Sequence, residues 1–441
     1  MRISSTMMSN NYLKQLNGTY EQYSKLMEQA DGSKLHRASD NAVGYSKYLR
    51  YQNNQISNEQ YQSNVSTASS WMKNADAALV NVTDLLQTFK AKVEQGSNST
   101  NNESDMKDIA KELLANVQEQ VADLNTQIGD RFLFAGQKDT TMPFEISAGK
   151  MNRGDTFTLD EKQSAFFSGA TGWGAENTTV KQMLKLKGDD GNSYYMNVNT
   201  GDVYTEDFVK NGYKNEDKFD PAKQRVGNIT AITDPPTAYK VSDHFDQYGV
   251  IKTDAGVGTN AKYNVTVDGK QVNLTLSTTE QYIVKYAGDD KYISMVKKNG
   301  GVDKATDTVN VTGQDINGCD LFDVGNDPHS GTARLNQLLY TVAKLDGADY
   351  KWAGEQGMTI ADSAHATVLG AQTKMAARQQ AYNSSSSMLV TQNESITSDI
   401  SDVSSTDVAQ LATKLMEYQT IYSLSLSVGS KILPGTLADY L

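Results

Sequence analysis

Residues 65–93 read VSTASSWMKNADAALVNVTDLLQTFKAKV, and apolar side chains recur along this stretch at alternating steps of three and four. A step that averages 3.5 residues keeps one seam of an α-helix against a partner helix, as in coiled coils and long bundles. At 1.5 Å per residue this seam is about 44 Å long. Such a helix cannot bury its own apolar face, so partners of similar length must lie elsewhere in the chain. The seam comprises Val65, Ala68, Met72, Ala75, Leu79, Val82, Leu86, Phe89 and Val93.

Partner helices are predicted on both sides of the chain. The polar segment 96–102 ends the first helix, and Asn102 is a suitable N-cap for a return helix that lies antiparallel to it. Helices resume after Thr332, and a looser seam over residues 368–403 is interrupted by Arg378 and other polar residues. The core positions predicted in these partners are Leu113, Val117, Leu124, Val368, Met375, Leu389, Ile396 and Val403.

Each end of the chain carries a shorter apolar stripe. The N-terminal stripe stops at Asp31-Gly32, after which Ser39 or Asp40 is expected to cap the next helix. Residues 422–428 alternate with period two, but they continue a helical stripe and are predicted as helix. Stripes without a partner inside a compact domain must be buried between subunits or stay disordered, which indicates a role in subunit assembly. They comprise Leu13, Leu16, Tyr20, Tyr23, Met27, Val408, Leu411, Leu415, Tyr418 and Tyr422.

The middle of the chain differs from both flanks. Five of the six prolines lie between residues 143 and 328, together with most of the glycines, so long helices are disfavoured there. Alternating apolar and polar residues on both sides of Asp268-Gly269 predict a hairpin over 263–276. A second hairpin is predicted around 188–191, and a third between 282–286 and 292–296.

These patterns predict an α+β fold in which both chain ends form a long antiparallel coiled-coil rod that carries an inserted, mostly antiparallel β domain. The predicted domains are terminal helical assembly segments at 1–42 and 405–441, a helical rod at 43–142 and 330–404, and a β-rich outer insertion at 143–329.

Composition excludes several classes of function. A net charge of -12 argues against nucleic acid as a partner, because phosphate binding depends on clustered Lys and Arg. No run of 18 apolar residues suggests a membrane span, and the first residues lack the apolar core of a cleaved secretion signal. The single Cys319 cannot form an internal disulfide. The four histidines have no second ligand at metal-binding spacing, so no metal is predicted. No catalysis and no cofactor are predicted either, since a His-Glu-x-x-His motif is lacking and the Met and aromatic stripes are read as core or subunit interface.

Several short stretches resemble the flagellin superfamily. They are Met1-Arg-Ile-Ser-Ser-Thr-Met-Met8, Ala38-Ser-Asp-Asn-Ala-Val-Gly44, Val82-Thr-Asp-Leu-Leu86 and Gly129-Asp-Arg-Phe-Leu-Phe-Ala-Gly136. Three features resemble its hook-associated branch: the run from Arg131 to Gly136 followed by Pro143-Phe144, Val309-Asn-Val-Thr-Gly-Gln-Asp315, and the ending Leu437-Ala-Asp-Tyr-Leu441. On this resemblance Leu437, Tyr440 and Leu441 are also expected to serve assembly.

The resemblance implies a structural protein of the bacterial flagellum that is secreted through the flagellar type III export apparatus with the help of an export chaperone. It implies a ring of identical subunits between hook-associated protein 1 and the first flagellin subunits. Two alternatives stay open. The chain could be a flagellin, or the insertion could make it a surface adhesin or binding module.

Overall fold

The computed structural model describes residues 5–39, 41–168, 180–216, 218–229, 244–252, 263–294, 308–318, 321–322 and 331–432. Its helices are α1 Ser5–Glu28, α2 Ala42–Gly96, α3 Glu103–Leu124, α4 Glu161–Phe167, α5 Glu206–Lys210, α6 Pro221–Gln224, α7 Gly313–Asn317, α8 Ala333–Asp346, α9 Tyr350–Trp352, α10 Met358–Ser404 and α11 Val408–Ile432. Short 3-10 turns lie at Gln29–Asp31 and Gly212–Asn215, and a π-turn lies at Ala353–Gly357.

The strands occupy the middle of the chain, as predicted. They are β1 Gln127–Ile128, β2 Arg131–Phe132, β3 Phe144–Ile146, β4 Met151–Gly154, β5 Thr156–Thr158, β6 Gln182–Gly188, β7 Ser193–Met196, β8 Asp202–Thr205, β9 Gly227–Asn228, β10 Tyr263–Val267, β11 Lys270–Leu276, β12 Thr278–Gln281 and β13 Val284–Tyr286. Long helices from both chain ends and an inserted antiparallel sheet confirm the predicted α+β fold.

The chain divides into two compact units. The terminal unit contains the described residues up to Ser66 and those from Ser384 onward, and the central unit contains the described residues from Thr67 to Asn383. Helices α2 and α10 contribute residues to both units.

Helices α2 and α10 run antiparallel in the central unit and are in contact in the terminal unit. In the central unit Lys90 pairs with Asp362 at 2.5 Å, and Gln372 contacts Asp76. In the terminal unit Gln62 lies against the Leu389 carbonyl. Residue numbers rise along one helix as they fall along the other, which is the arrangement that the two seams predicted.

Helix α3 returns along α2 after a capped start. Asn102 accepts a hydrogen bond from the Asp105 amide at 2.8 Å, and the Asp105 carboxylate accepts one from the Asn102 amide. Antiparallel packing on α2 is shown by the 3.0 Å bond from the Asn116 side chain to the Leu85 carbonyl. The predicted cap at Asn102 is therefore confirmed. At the start of α2, however, Asn41 and not Ser39 accepts the capping bond, from the Gly44 amide, while Asp40 lies outside the described residues.

Among the described residues, seven strands form one antiparallel sheet in the order β10-β11-β6-β7-β8-β9, with β5 also paired to β6. Alternate residues point to opposite faces. On β7, Tyr194 packs into an aliphatic cluster with Leu186 and Leu274, whereas Tyr195 packs into an aromatic cluster with Phe157 and Tyr204. Both faces of this sheet are therefore buried.

Two of the predicted hairpins are confirmed and the third is wrong. Strands β10 and β11 join through Asp268-Gly269, and β6 and β7 join through 189–192. The third prediction fails because β13 pairs with β3, about 140 residues away, while Ser294 forms an isolated bridge with Thr308. Local alternation could not reveal a partner so distant in the sequence.

The turn at Gly269 provides a local test of the sheet. Gly269 has a φ of 77°, and the preceding Asp268 a φ of 48°, so both occupy the left-handed region of a two-residue hairpin. A β-branched side chain there costs about 1–2 kcal/mol. We expect Gly269→Val to speed amide hydrogen exchange in β10 and β11 by about tenfold. Gly149→Val is the control, because Gly149 has open space and no left-handed φ. Equal exchange in both variants would contradict the prediction.

Candidate assembly surface

Helices α1 and α11 form an antiparallel pair within the terminal unit. The Tyr12 hydroxyl donates a 2.7 Å hydrogen bond to the Ser425 carbonyl, and the Tyr20 and Tyr422 rings lie 5.7 Å apart. A Cβ at Gly429 would lie 2.0 Å from the Tyr12 oxygen, so a larger residue there would displace the Tyr12 ring. The same positions define the inner face of the pair, where side chains on α11 recur every three or four residues from Leu411 onward.

The two connecting segments beside this pair are joined through their backbones. The Lys34 amide donates to the Ser404 carbonyl at 2.8 Å, and the Thr406 amide donates to the Gly32 carbonyl at 3.0 Å. Gly32 has a left-handed φ of 94°, which ends the short turn that follows α1. On the other side, Asp407 starts α11 by accepting bonds from the Ala409 and Gln410 amides. The end of α1 and the start of α11 are therefore both fixed next to the backbone hydrogen bond between Gly32 and Thr406.

The outer faces of this pair expose large apolar side chains. A groove of about 520 Å³ between the helices is lined by Met7, Met8, Tyr12, Ile421, Leu424 and Val428 among others. Such side chains normally lie in a core, and a continuous exposed set of them marks an interaction site. The exposed members on α1 and α11 are Met7, Met8, Leu13, Tyr20, Met27, Val408, Met416, Ile421, Leu424, Leu426 and Val428. We call this set the assembly surface.

The predicted assembly residues divide between the inner and outer faces. Leu411 is buried, and Leu16, Tyr23, Leu415, Tyr418 and Tyr422 are half-buried on the inner face. Leu13, Met27 and Val408 are exposed. Tyr20 is also 56% exposed, although its ring contacts Tyr422. Leu437, Tyr440 and Leu441 lie outside the described residues. Sequence reasoning missed Met7, Met8, Met416, Ile421, Leu424, Leu426 and Val428, because it sought one stripe per helix. A second apolar stripe on each helix was the signal that could have identified them.

The predicted rod-core residues are mostly buried. Val65, Ala68, Met72, Ala75, Leu79, Val82, Leu86, Phe89, Val93, Leu113, Val117, Leu124, Val368, Met375 and Leu389 are each at most 2% exposed. Ile396 and Val403 are half-buried. The interrupting Arg378 has a role outside the seam, since its guanidinium donates to the Asn310 carbonyl at 2.7 Å and lies over the Tyr292 ring.

A buried polar network joins α8 to the insertion in the central unit. Arg334 donates to the Gln120 side chain at 2.6 Å and to the Asn317 side chain at 3.0 Å. Burial lowers the pKa of Arg334 to about 9. Asn336 exchanges hydrogen bonds with the Val284 backbone, accepting from its amide at 2.8 Å and donating to its carbonyl at 3.2 Å. The Asn336 side chain on α8 thus pairs with the backbone amide and carbonyl of Val284 at the edge of β13 that faces α8.

Because of this network, we expect replacement of Asn336 by the similarly sized leucine to destabilise the central unit strongly. Asn336→Leu leaves the amide and carbonyl of Val284 buried without partners, at a cost of about 2–4 kcal/mol. We expect the central unit to unfold at a lower urea concentration. The unfolding is monitored by circular dichroism. Asn81→Leu is the control, since Asn81 is exposed on α2. If both variants unfolded at the wild-type midpoint, the network would not stabilise the unit.

The residues around Tyr286 explain the motif from Arg131 to Gly136. The Tyr286 hydroxyl donates to the Phe134 carbonyl at 3.0 Å, and the Asp289 amide donates to the Ala135 carbonyl at 3.0 Å. Burial raises the pKa of Tyr286. A Cβ at Gly136 would lie 2.1 Å from the Asp289 carbonyl oxygen, so this backbone contact requires glycine. The motif therefore connects the end of α3 to the last strand of the insertion.

Within the described part of the chain, no cluster of three His, Cys, Asp or Glu side chains is arranged to hold a metal ion. In the same residues, no helix combines the length and apolar character that a membrane crossing requires.

The chain matches the family described as bacterial flagellin N-terminal helical region over residues 3–139. This range contains α1, α2 and α3 and the motif that ends at Gly136. Over this range the chain is similar to the N-terminal helical region of bacterial flagellins. A flagellin from Salmonella montevideo is 26% identical over 302 residues, which cover 59% of this chain and 58% of that protein.

A relative named flagellar hook-associated protein 3, from Salmonella typhimurium, is 26% identical over 168 residues, 37% of this chain and 53% of that protein. The chain thus spans little more than half the length of these curated flagellin-superfamily relatives. A solved structure named as a flagellar hook-associated protein, from Vibrio parahaemolyticus, aligns with 83% of this chain and 100% of its own, at 14% identity and a TM-score of 0.44.

Proposed function

We propose that this chain is a structural component of the bacterial flagellum that joins the hook to the filament by helix packing between subunits. The observation that carries the proposal is the assembly surface, which leaves apolar side chains on both α1 and α11 exposed. Similarity to a relative named hook-associated protein 3 and the motifs near Gly136 support the junction position. The proposed role is structural and involves no catalysis.

The assembly surface acts by burial against other subunits. Removing apolar area from water contributes roughly 25 cal/mol per Å², so exposed apolar side chains on two helices can hold a subunit in place. The first partner is a second copy of this chain in a ring. The ring lies between hook-associated protein 1 on one side and flagellin on the other.

Export precedes assembly in this proposal. The chain is secreted through the flagellar type III apparatus to the extracellular flagellum. An export chaperone covers the assembly surface beforehand, because exposed apolar helices would otherwise associate in the cell.

Incorporation at the hook tip tests the junction role. Full-length chain is added to isolated hooks that carry hook-associated protein 1, and bound chain is counted by electron microscopy and sedimentation. We expect saturable binding at the tip and flagellin growth only on occupied tips. Binding along the hook sides, or none at all, would refute the proposal.

Flagellin is the second candidate, because a 302-residue alignment relates the chain to a flagellin. A flagellin polymerises alone, so long filaments from the purified chain would favour it over the junction role. An adhesin that uses the insertion would instead bind glycans or matrix proteins as an unassembled monomer.

The sequence-derived domains at 1–42 with 405–441, 43–142 with 330–404, and 143–329 remain a proposal about separable pieces. Limited proteolysis of the full chain tests it, since first cuts should fall near residues 42, 143, 329 and 405. Early cuts inside α3 would contradict these boundaries.

A further inference from the structure

Four of the exposed methionines lie on the assembly surface. Met7, Met8, Met27 and Met416 lie on α1 or α11 and are 50–63% exposed. In contrast, Met72, Met183, Met196 and Met375 are fully buried. Met142 and Met388 are also exposed, at 49% and 43%, away from the assembly surface. The described chain therefore holds methionines that the core covers and methionines open to solvent, and four of the latter lie on the assembly surface.

We propose that these four exposed methionines form an oxidation-sensitive site that controls assembly, an inference that rests on the proposed function. The reagent class is a peroxide, such as hydrogen peroxide, in the surrounding medium. A lone pair of the thioether sulfur attacks one peroxide oxygen and the O–O bond breaks. The sulfur is oxidised to a sulfoxide, and the peroxide is reduced to water after proton transfer. The susceptibility of methionine follows its exposure, so the buried set is spared.

Oxidation changes the chemistry of the groove without changing the core. Met7 and Met8 line the groove together with Ile421, Leu424 and Val428. A sulfoxide is polar and accepts hydrogen bonds. The groove also holds the polar residues Asn11, Gln15 and Ser425, but the neighbours Ile421, Leu424 and Val428 have no side-chain donor. Burying a sulfoxide between these neighbours and an apolar partner surface therefore loses hydration. The oxidised chain stays folded and loses its affinity for other subunits.

Assembly in turn protects the site. Once the assembly surface is buried between subunits, its sulfurs are closed to peroxide, so oxidation acts on subunits that have not yet joined. The sulfoxide is chemically reversible by methionine sulfoxide reductases, which return the apolar side chain.

The test compares free full-length chain before and after limited treatment with hydrogen peroxide, with each sulfoxide located by mass spectrometry. We expect oxidation at Met7, Met8, Met27 and Met416, together with the exposed Met142 and Met388, before the buried methionines. The circular dichroism spectrum should not change, and binding to hook tips should become about tenfold or more weaker. Treatment with both sulfoxide reductases should restore binding. Chain already bound at the tip should oxidise more slowly at these four positions.

The matched variant replaces all four methionines by leucine, which is apolar and inert to peroxide. Its binding, whatever the starting level, should not change on treatment. Oxidised wild-type chain that binds as well as untreated chain would overturn the inference, as would an equal loss of binding in the leucine variant. Untreated wild-type chain that never binds hook tips would instead refute the proposed function on which the inference rests.

Discussion

We expect the Leu79→Asp variant to lose most of the helical circular dichroism signal of the central unit at 37 °C. Leu79 is fully buried at the middle of the α2 seam. A carboxylate at this position would be surrounded by apolar side chains, so it must either lose its hydration or open the bundle. The cost is about 4 kcal/mol or more, a large part of the stability of an ordinary domain.

The neighbouring Val80 provides the matched control for this change. Val80 is 39% exposed, so an aspartate there keeps contact with water and costs about 0.5 kcal/mol. Both variants add the same charge to the same helix, one residue apart. Thermal melts should separate them clearly. If the Leu79→Asp and Val80→Asp variants had the same melting temperature, the seam would not be the core of the unit.

Short-range patterns predicted much of the fold because their causes are local. The seam in residues 65–93 depends on helix periodicity, and the hairpin at Asp268-Gly269 depends on the backbone freedom of two adjacent residues. Neither requires knowledge of a distant partner. Helix α11 also extends through residues 422–428, as the continuing stripe indicated despite the alternation.

Features that depend on distant partners could not be predicted from sequence patterns. Arg334 reaches Gln120 across 214 residues, and β13 pairs with β3. Arg378 was read as an interruption of a seam, whereas it holds the Asn310 carbonyl. In each case the favourable interaction involves a group that is distant in the sequence and that only folding brings near.

The candidate site was predicted in part for a related reason. The sequence located stripes at both chain ends, but a stripe does not distinguish a face that packs within the chain from a face that waits for another subunit. The structure separates them, because α11 turns Leu411 and Leu415 toward α1 and leaves Leu424 and Val428 outside. Two stripes per helix are needed when a helix has both an internal and an external partner.

The outer stripe should therefore be essential for assembly and dispensable for folding. Leu424 and Val428 are 61% and 48% exposed on the groove. Replacing both by glutamate places two charges where the proposal requires an apolar contact, and each charge would be buried without a partner in the joined state. We expect an unchanged melting temperature, loss of binding to hook tips by a factor of about 100 or more, and loss of motility in cells that depend on this chain.

The control carries the same charges on another face of α11. Gln419 and Ser423 are both exposed and have the same spacing of four residues, and they do not line the groove. Gln419→Glu with Ser423→Glu adds equal charge to the same helix, so it matches any effect on helix stability or export. Because those positions do not line the groove, we expect near wild-type binding. Equal loss in both variants would show that charge on α11 alone prevents assembly, and equal retention would show that the groove makes no contact between subunits.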